Sequence, residues 1–179
     1  MSPEHAADSL KLEVRCTEKV PATDAEKLFE WGQDLWSIDS YQLAWRRWVT
    51  SFTGYIGDEP VCHVGALTHT VSVAERDIPV GGIAAVLTLP ASRRRGYGAL
   101  TLGAATRFLR ESAGVPYALL FCRDQLIPFY GPQGWQKVED PVFIQQPDDE
   151  RESPLNCLCL SLNGAPWPPG TVRLNSQPW

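Results

Sequence analysis

With 179 residues, 44% of them hydrophobic, the chain can bury one good core and is short for two. A net charge of −5 gives bulk electrostatics no attraction for nucleic acid or an anionic membrane. Five cysteines, an odd number without metal-ligand spacing, argue against a disulfide framework and a zinc site, so no metal is expected.

Residues 1–10 read as a loose tail. Their polar start, Met1-Ser2-Pro3-Glu4-His5, is not a signal peptide, and no run is long enough to span a bilayer, so a cytoplasmic protein is expected. Residues 12–16 alternate as an edge strand does. Thr23-Asp24-Ala25-Glu26 has the form of a capping box ahead of the helix-spaced Leu28, Trp31 and Leu35. A second helix is predicted over 40–50, carrying Leu43, Trp45 and Trp48. Residues 52–56 read as a strand, 57–60 as its turn, and 61–73 as a longer strand. A hairpin tip at 74–77 leads to a central strand at 78–88. A helix at 99–113, a buried strand at 117–122 and a short helix at 124–131 follow. Late strands are predicted at 137–145 and 156–162, separated by an acidic loop at 146–152. Cys157 and Cys159 alternate with Leu158 and Leu160 as inert core residues do. The Pro- and Gly-rich end at 164–179 is predicted to be held down by its tryptophans. Strands, one central helix, then strands again predict a single α+β domain over 1–179, built on a mixed, mostly antiparallel sheet.

The most informative segment is 93–98, Arg-Arg-Arg-Gly-Tyr-Gly, between the apolar run Val86-Leu87-Thr88-Leu89-Pro90 and the helical stretch from Ala99. Glycines allow close backbone approach, free N–H groups at a helix start point at an anion, and arginine forks match phosphate oxygens. A Walker loop is excluded, because no Gly-Lys-Ser or Gly-Lys-Thr occurs. The dinucleotide fingerprint fails at Thr101, which stands where a third small residue is required. The remaining pattern, Arg-x-x-Gly-x-Gly between strand and helix, resembles the acyl-CoA loop of the GNAT N-acyltransferases. The bland alternative is a solvated arginine cluster at a helix start. A second GNAT-like signature follows in the family's order: the strand 117–122, a short helix ending in Phe129-Tyr130, then Gly134-Trp135. The tail, with Trp167-Pro168-Pro169-Gly170 and Pro178-Trp179, is similar to that of the aminoglycoside 2′-N-acetyltransferase branch.

The resemblance implies a GNAT fold whose central strand and the strand after the helix run parallel and splay apart, flanked by about four helices. It implies acetyl-CoA as cosubstrate, a small-molecule primary amine as acceptor, and direct transfer in a ternary complex. Backbone groups of Val86, Leu87 and Thr88 would pair with the pantetheine arm. Arg93, Arg94, Arg95, Gly96, Tyr97, Gly98 and Ala99 would hold the pyrophosphate. Tyr130 would protonate the departing thiolate, against the alternative of a core aromatic beside Phe129. The general base stays open among His63, His69, Asp34, Asp39 and the Trp179 carboxylate, because 83–88 contains no acid. Arg123 stands where the family usually has an asparagine, so its cofactor role is in doubt. Cys122 has no neighbour that would activate a thiol, which argues against a covalent intermediate. Trp31, Trp36, Trp45 and Trp48 suit either an aromatic acceptor cleft or plain core. An aminoglycoside-type acceptor, drawing on Asp34, Asp39 and the 148–152 acids, and an acyl-CoA-binding sensor without catalysis are the rival readings. The arginines lack interleaved aromatics, so nucleic acid is not expected. A homodimer is the candidate assembly, and the acceptor is not legible.

Overall fold

The computed structural model describes residues 11–179, so the predicted tail at 1–10 lies outside the described residues. The described strands are β1 (Leu12–Thr17), β2 (Thr50–Ile56), β3 (Glu59–Val73), β4 (Arg76–Thr88), β5 (Tyr117–Cys122), β6 (Gln136–Lys137), β7 (Val142–Gln145), β8 (Glu150–Glu152), β9 (Asn156–Ser161) and β10 (Val172–Arg173). The helices are α1 (Ala22–Phe29), α2 (Tyr97–Glu111) and α3 (Ile127–Tyr130), with short 3₁₀ turns between them. The strands form one sheet in the order β6-β9-β5-β4-β3-β10-β7-β8. β1 pairs with β2, and β2 with the first half of β3. β3 can carry both β2 and β10 on one edge because its 15 residues extend about 50 Å. The α+β class and the mixed, mostly antiparallel sheet are as expected.

Only three register pairs join the parallel strands β4 and β5: Val80 with Tyr117, Gly81 with Ala118, and Gly82 with Leu119. Past that point the strands diverge. Side chains alternate between the two faces of the sheet. Ala118, Leu120, Val64 and Ile83 pack under α2, whose Leu102, Ala105 and Leu109 recur at helical spacing. Leu119, Tyr117, Val80, Cys157, Cys159, Val172 and Trp179 fill the opposite face. Gly81 and Gly82 clear one face each. A Cβ at Gly81 would sit 2.5 Å from Leu109, and one at Gly82 would sit 2.4 Å from the Trp179 ring. Among the described residues no helix is long and apolar enough to cross a membrane.

Five local predictions are corrected. The helix predicted over 40–50 does not form, leaving three α-helices among the described residues. A 3₁₀ turn at Asp39–Tyr41 ends at Gln42 in a left-handed conformation (φ 51°), and the chain then runs irregularly to Thr50. Its backbone groups find distant partners instead of their own helix. The Gln146 side chain accepts from Ala44 N–H at 2.8 Å and donates to Ala44 O at 3.2 Å. Arg46 N–H donates to Pro178 O at 2.7 Å, and Val49 N–H to Ala66 O at 2.9 Å. The capping box at Thr23 is not used either. α1 begins at Ala22 behind Pro21, whose carbonyl accepts from Asp24 and Ala25, and no side chain caps it. Asp24 instead accepts from the Tyr55 hydroxyl at 2.6 Å. α1 stops at Phe29, so Trp31 and Leu35 lie beyond it.

The predicted strand 137–145 is two strands on different parts of the sheet. β6 pairs with β9, while β7 pairs with β8 and β10. Pro141, which has no N–H to donate, stands at the break. The acidic loop ends in β8, because Gln146 N–H closes a turn onto Asp149 O at 2.7 Å and returns Glu150–Glu152 antiparallel to β7.

Candidate functional site

A cavity of about 550 Å³ opens where β4 and β5 part. Ile83 to Val86 form one wall, and Leu120 to Arg123 with Tyr130 form the other. The irregular segment beyond α1 roofs it with Leu35, Trp36, Ile38, Leu43, Trp45 and Trp48. Of the four clustered tryptophans, Trp36, Trp45 and Trp48 line the cavity, whereas Trp31 is an exposed ring beneath Arg93. Trp179 closes the narrow end. Its ring lies on Gly82, its Nε1–H donates to Leu119 O at 3.2 Å, and Phe121 and His69 meet it edge-on. It therefore sits against both members of the last parallel pair, at the point where pairing stops.

Between the pairs His63 with Leu87 and Gly65 with Ala84, β4 carries one residue more than β3. This is a bulge, with Ala85 at φ 47°, a conformation that costs a non-glycine residue roughly 1 kcal/mol or more. His63 holds it. Its Nδ1 lies 3.0 Å from Ala85 O, which can only accept, so Nδ1 carries the proton. The imidazole is fully buried between Phe29 and Trp48, and its Nε2 has no partner among the described residues. Burial pushes its pKa down to about 4. His63 is thus a neutral structural group and not part of the cavity wall. His69 is equally committed: Nδ1 accepts from Arg46 Nη1 at 2.8 Å, and Nε2–H donates to Leu174 O at 2.8 Å. Burial, with the nearby Arg46 charge, lowers its pKa as well. Neither histidine has a free nitrogen facing an amine. Asp34 and Asp39 do line the cavity. Asp34 Oδ1 accepts from the N–H groups of Ile38 (2.6 Å) and Asp39 (3.2 Å), which fixes the loop.

At the other end of β4 the chain makes a 3₁₀ turn, Pro90–Ser92, and passes through Arg94 (φ 61°) and Gly96 (φ 78°) into α2. The left-handed conformation is what requires glycine at 96. α2 begins at Tyr97, two residues earlier than predicted. The first intrahelical donor is Leu100 N–H, bonded to Gly96 O at 3.0 Å, which leaves the N–H groups of Gly96, Tyr97, Gly98 and Ala99 ahead of the helical ladder. Gly98 lets the helix start approach the strand: a Cβ there would meet Thr88 Oγ1 at 2.9 Å and Phe129 Cζ at 3.6 Å. The three arginines separate. Arg93 Nε–H donates to Thr88 O at 3.1 Å and its guanidinium lies over Trp31, while Arg94 and Arg95 are exposed. Of the three residues whose backbone was expected to face a ligand, Thr88 has its carbonyl bonded to Arg93. Val86 O accepts from Trp36 Nε1 at 3.1 Å, and Leu87 pairs with His63 across the sheet.

Tyr130 is buried in the cavity wall with its ring edge-on to Phe129 and Trp135. Burial holds its phenol well above the ordinary range, so it keeps its proton at neutral pH. Cys122 is also on the wall, and burial pushes its thiol up to about 11, which leaves it protonated and unreactive. Arg123 lies between the main cavity and a polar pocket of about 240 Å³ beside Ser37, Asp124 and Asn156. Its Nε is buried without a partner among the described residues. The 148–152 acids lie off the cavity wall: Asp149 pairs with Arg151 at 2.8 Å, and Glu150 with Arg173. Sequence reasoning missed Arg46 and the seating of Trp179. Arg46 is held by His69 and Pro178, and Trp179 by Gly82 and Leu119, contacts between distant segments that no local pattern signals.

Residues 16–138 match the family model described as acetyltransferase (GNAT) domain. No curated protein has a sequence that matches this chain significantly. Among solved structures the chain resembles a GNAT family N-acetyltransferase from Escherichia coli in complex with CoA, at 13% identity and a TM-score of 0.62, over 95% of this chain and 93% of that one. It also resembles a GNAT family acetyltransferase from Brucella melitensis in complex with acetyl-CoA, at 14% identity and a TM-score of 0.52, over 89% and 94%. A GCN5-related N-acetyltransferase from Kribbella flavida matches at 20% identity and a TM-score of 0.52, over 71% of this chain and 34% of that one. The chain thus spans about a third of the Kribbella flavida protein's length. At these identities the likeness is one of fold.

Proposed function

The chain belongs to the GNAT acetyltransferase family, and from that premise we propose that it moves the acetyl group of acetyl-CoA to a primary amine of a small molecule, directly and within a ternary complex. The observation that carries this reading is the junction of three features along β4. Free helix N–H groups stand at its Thr88 end, the Ala85 bulge lies just past the last β4–β5 pair, and an aromatic cavity opens where the strands part. The pyrophosphate of acetyl-CoA would sit on the N–H groups of Gly96 to Ala99, with Arg94 and Arg95 adding charge and Arg93 bracing the loop. The pantetheine arm would lie between the diverging strands beside Val86, Leu87 and Thr88. It would engage Val86 by sharing its carbonyl with Trp36 or displacing the indole. That acetyl-CoA or CoA occupies the similar Brucella melitensis and Escherichia coli proteins supports this placement.

In the reaction the amine lone pair attacks the thioester carbonyl, and the C–S bond of the tetrahedral adduct then breaks. Tyr130 hands its proton to the departing thiolate and regains one from solvent. The proton shed by the amine leaves through water to Asp34 or Asp39, which line the cavity. The raised thiol of Cys122 supports the direct route over a covalent one. The aminoglycoside reading loses the support of the 148–152 acids, which face other partners. Thiol release from acetyl-CoA, followed across a panel of small primary amines, tests the proposal. Amine-dependent release is expected. Acetyl-CoA binding without release for any amine would favour the sensor reading.

A further inference from the structure

We propose that Arg46 is a specificity residue that anchors a carboxylate of the acceptor, so that the preferred substrate carries its amine and a carboxylate at opposite ends of an apolar body. The inference rests on the acetyl-transfer reading for the amine end. The anchor itself rests on geometry. Arg46 is half-buried on the cavity wall among Leu43, Trp45, Trp48, Ile83 and Trp179. Its position is determined at both ends: the backbone N–H is bonded to Pro178 O at 2.7 Å, and Nη1 is held by His69 Nδ1 at 2.8 Å. His69 is fixed in turn by Leu174 O at 2.8 Å. One of five guanidinium N–H donors is thereby spent. Among the described residues no carboxylate lies within ion-pair distance of Arg46. A planar fork, pre-positioned in an apolar wall and unneutralised there, is matched to a carboxylate.

The strand register gives the anchor its place. His69 pairs with Val80 and packs on Trp179, which lies on Gly82. The bulge is at Ala85 and the helix start at Thr88. Arg46 therefore belongs to the end of β4 remote from the phosphate loop, and Gly82 to Ala85 spans about 10 Å. Arg123 is at the other side, after β5 and near Tyr130, where a cofactor arm would run. Asp34 and Asp39, which also line the cavity, favour an incoming ammonium. Two carboxylates and a guanidinium lining one apolar cavity describe a zwitterion with an aromatic ring or alkyl chain between its charges.

Matched pairs test this: 4-(aminomethyl)benzoate against benzylamine, and 6-aminohexanoate against hexylamine. Each is titrated calorimetrically and assayed for thiol release with wild type, Arg46→Gln and Arg46→Lys. In wild type the carboxylate member should bind about tenfold to a hundredfold tighter than its partner, with the difference in KM rather than kcat. Arg46→Gln should level each pair, and Arg46→Lys, which keeps the charge but not the fork, should fall between. Acetyl-CoA affinity and melting temperature report that each variant is folded. Equal binding within the pairs in wild type, or a preference that survives Arg46→Gln, overturns the anchor. An Arg46-dependent preference in binding without thiol release supports the anchor and removes the acetyl-transfer reading. Acetylation of both members with equal KM removes the anchor and leaves acetyl transfer standing.

Discussion

At the scale of single residues, burial decides which groups can do chemistry. Tyr130 and Cys122 both line the cavity, and in each case desolvation favours the protonated form. The Tyr130 phenol therefore keeps its proton but becomes a weaker acid, while the Cys122 thiol is disabled as a nucleophile. Tyr130→Phe should therefore lower turnover by about a hundredfold to ten-thousandfold where thiolate departure limits the rate, with acetyl-CoA affinity intact. Calorimetry and single-turnover kinetics separate the two quantities. A loss of affinity with only about tenfold in rate would mean a ground-state hydrogen bond instead. His63 gives a stability signature. Its folded pKa of about 4 lies below the ordinary 6.5, so as pH falls through 6.5 the unfolded imidazole takes a proton that the buried one refuses. Stability from this group is constant above 6.5 and is lost between 6.5 and 4, by at most about 1.4 kcal/mol per pH unit. His69 acts in the same direction. Urea midpoints measured between pH 7.5 and 5 should fall more steeply for wild type than for His63→Gln. Parallel slopes would mean that His63 is not buried neutral.

At the scale of elements, the site depends on two strands that stop pairing. The adjacent glycines at 81 and 82 let Leu109 of α2 and the ring of Trp179 approach the same short parallel stretch from opposite faces. Beyond it the indole of Trp179 takes up the Leu119 carbonyl. Gly82→Ala places a methyl 2.4 Å from Trp179 Cε2, so the ring must leave its seat or the strands must shift. A loss of roughly 1–3 kcal/mol is expected from overpacking, with a change in tryptophan emission as the ring moves. Denaturant melts and fluorescence read both. An unchanged melt and spectrum would show that Trp179 is not wedged there. The bulge follows the same logic: His63 and the aromatic pair around it hold Ala85 in a conformation its own residue type disfavours.

At the scale of the whole molecule, a ligand that binds only the folded chain stabilises it by mass action. Acetyl-CoA at a hundredfold excess over its dissociation constant should add about 2.7 kcal/mol, visible as a raised melting temperature. Gly98→Asp should remove most of that rise, because it sets a negative charge among the free N–H groups at the start of α2 and presses on Thr88. Gly98→Ala carries the methyl without the charge and should keep more of it. An equal response in wild type and Gly98→Asp would place the phosphate site elsewhere.

The motif segment, the strand and helix after it, and the family were legible in the residues themselves. A glycine at positive φ, a helix start and a buried strand are set by neighbours within a few positions, and 93–135 carries those signals in order. The sheet's α+β character was legible for the same reason. The roof over the cavity was not. Residues 40–50 have helical spacing of apolar positions, yet Gln146, Pro178 and Ala66 satisfy their backbone groups from across the fold, and the helix is lost to those contacts. Both histidines fall in the predicted strand 61–73, but only packing decided that one braces a bulge and the other an arginine. The acid-lined pocket suggested by residues 148–152 dissolved because Gln146 turns that segment into β8, away from the cavity. Local chemistry determined how a phosphate could be held. The cavity beyond it arose from contacts between segments distant in the chain, which only the folded chain brings together.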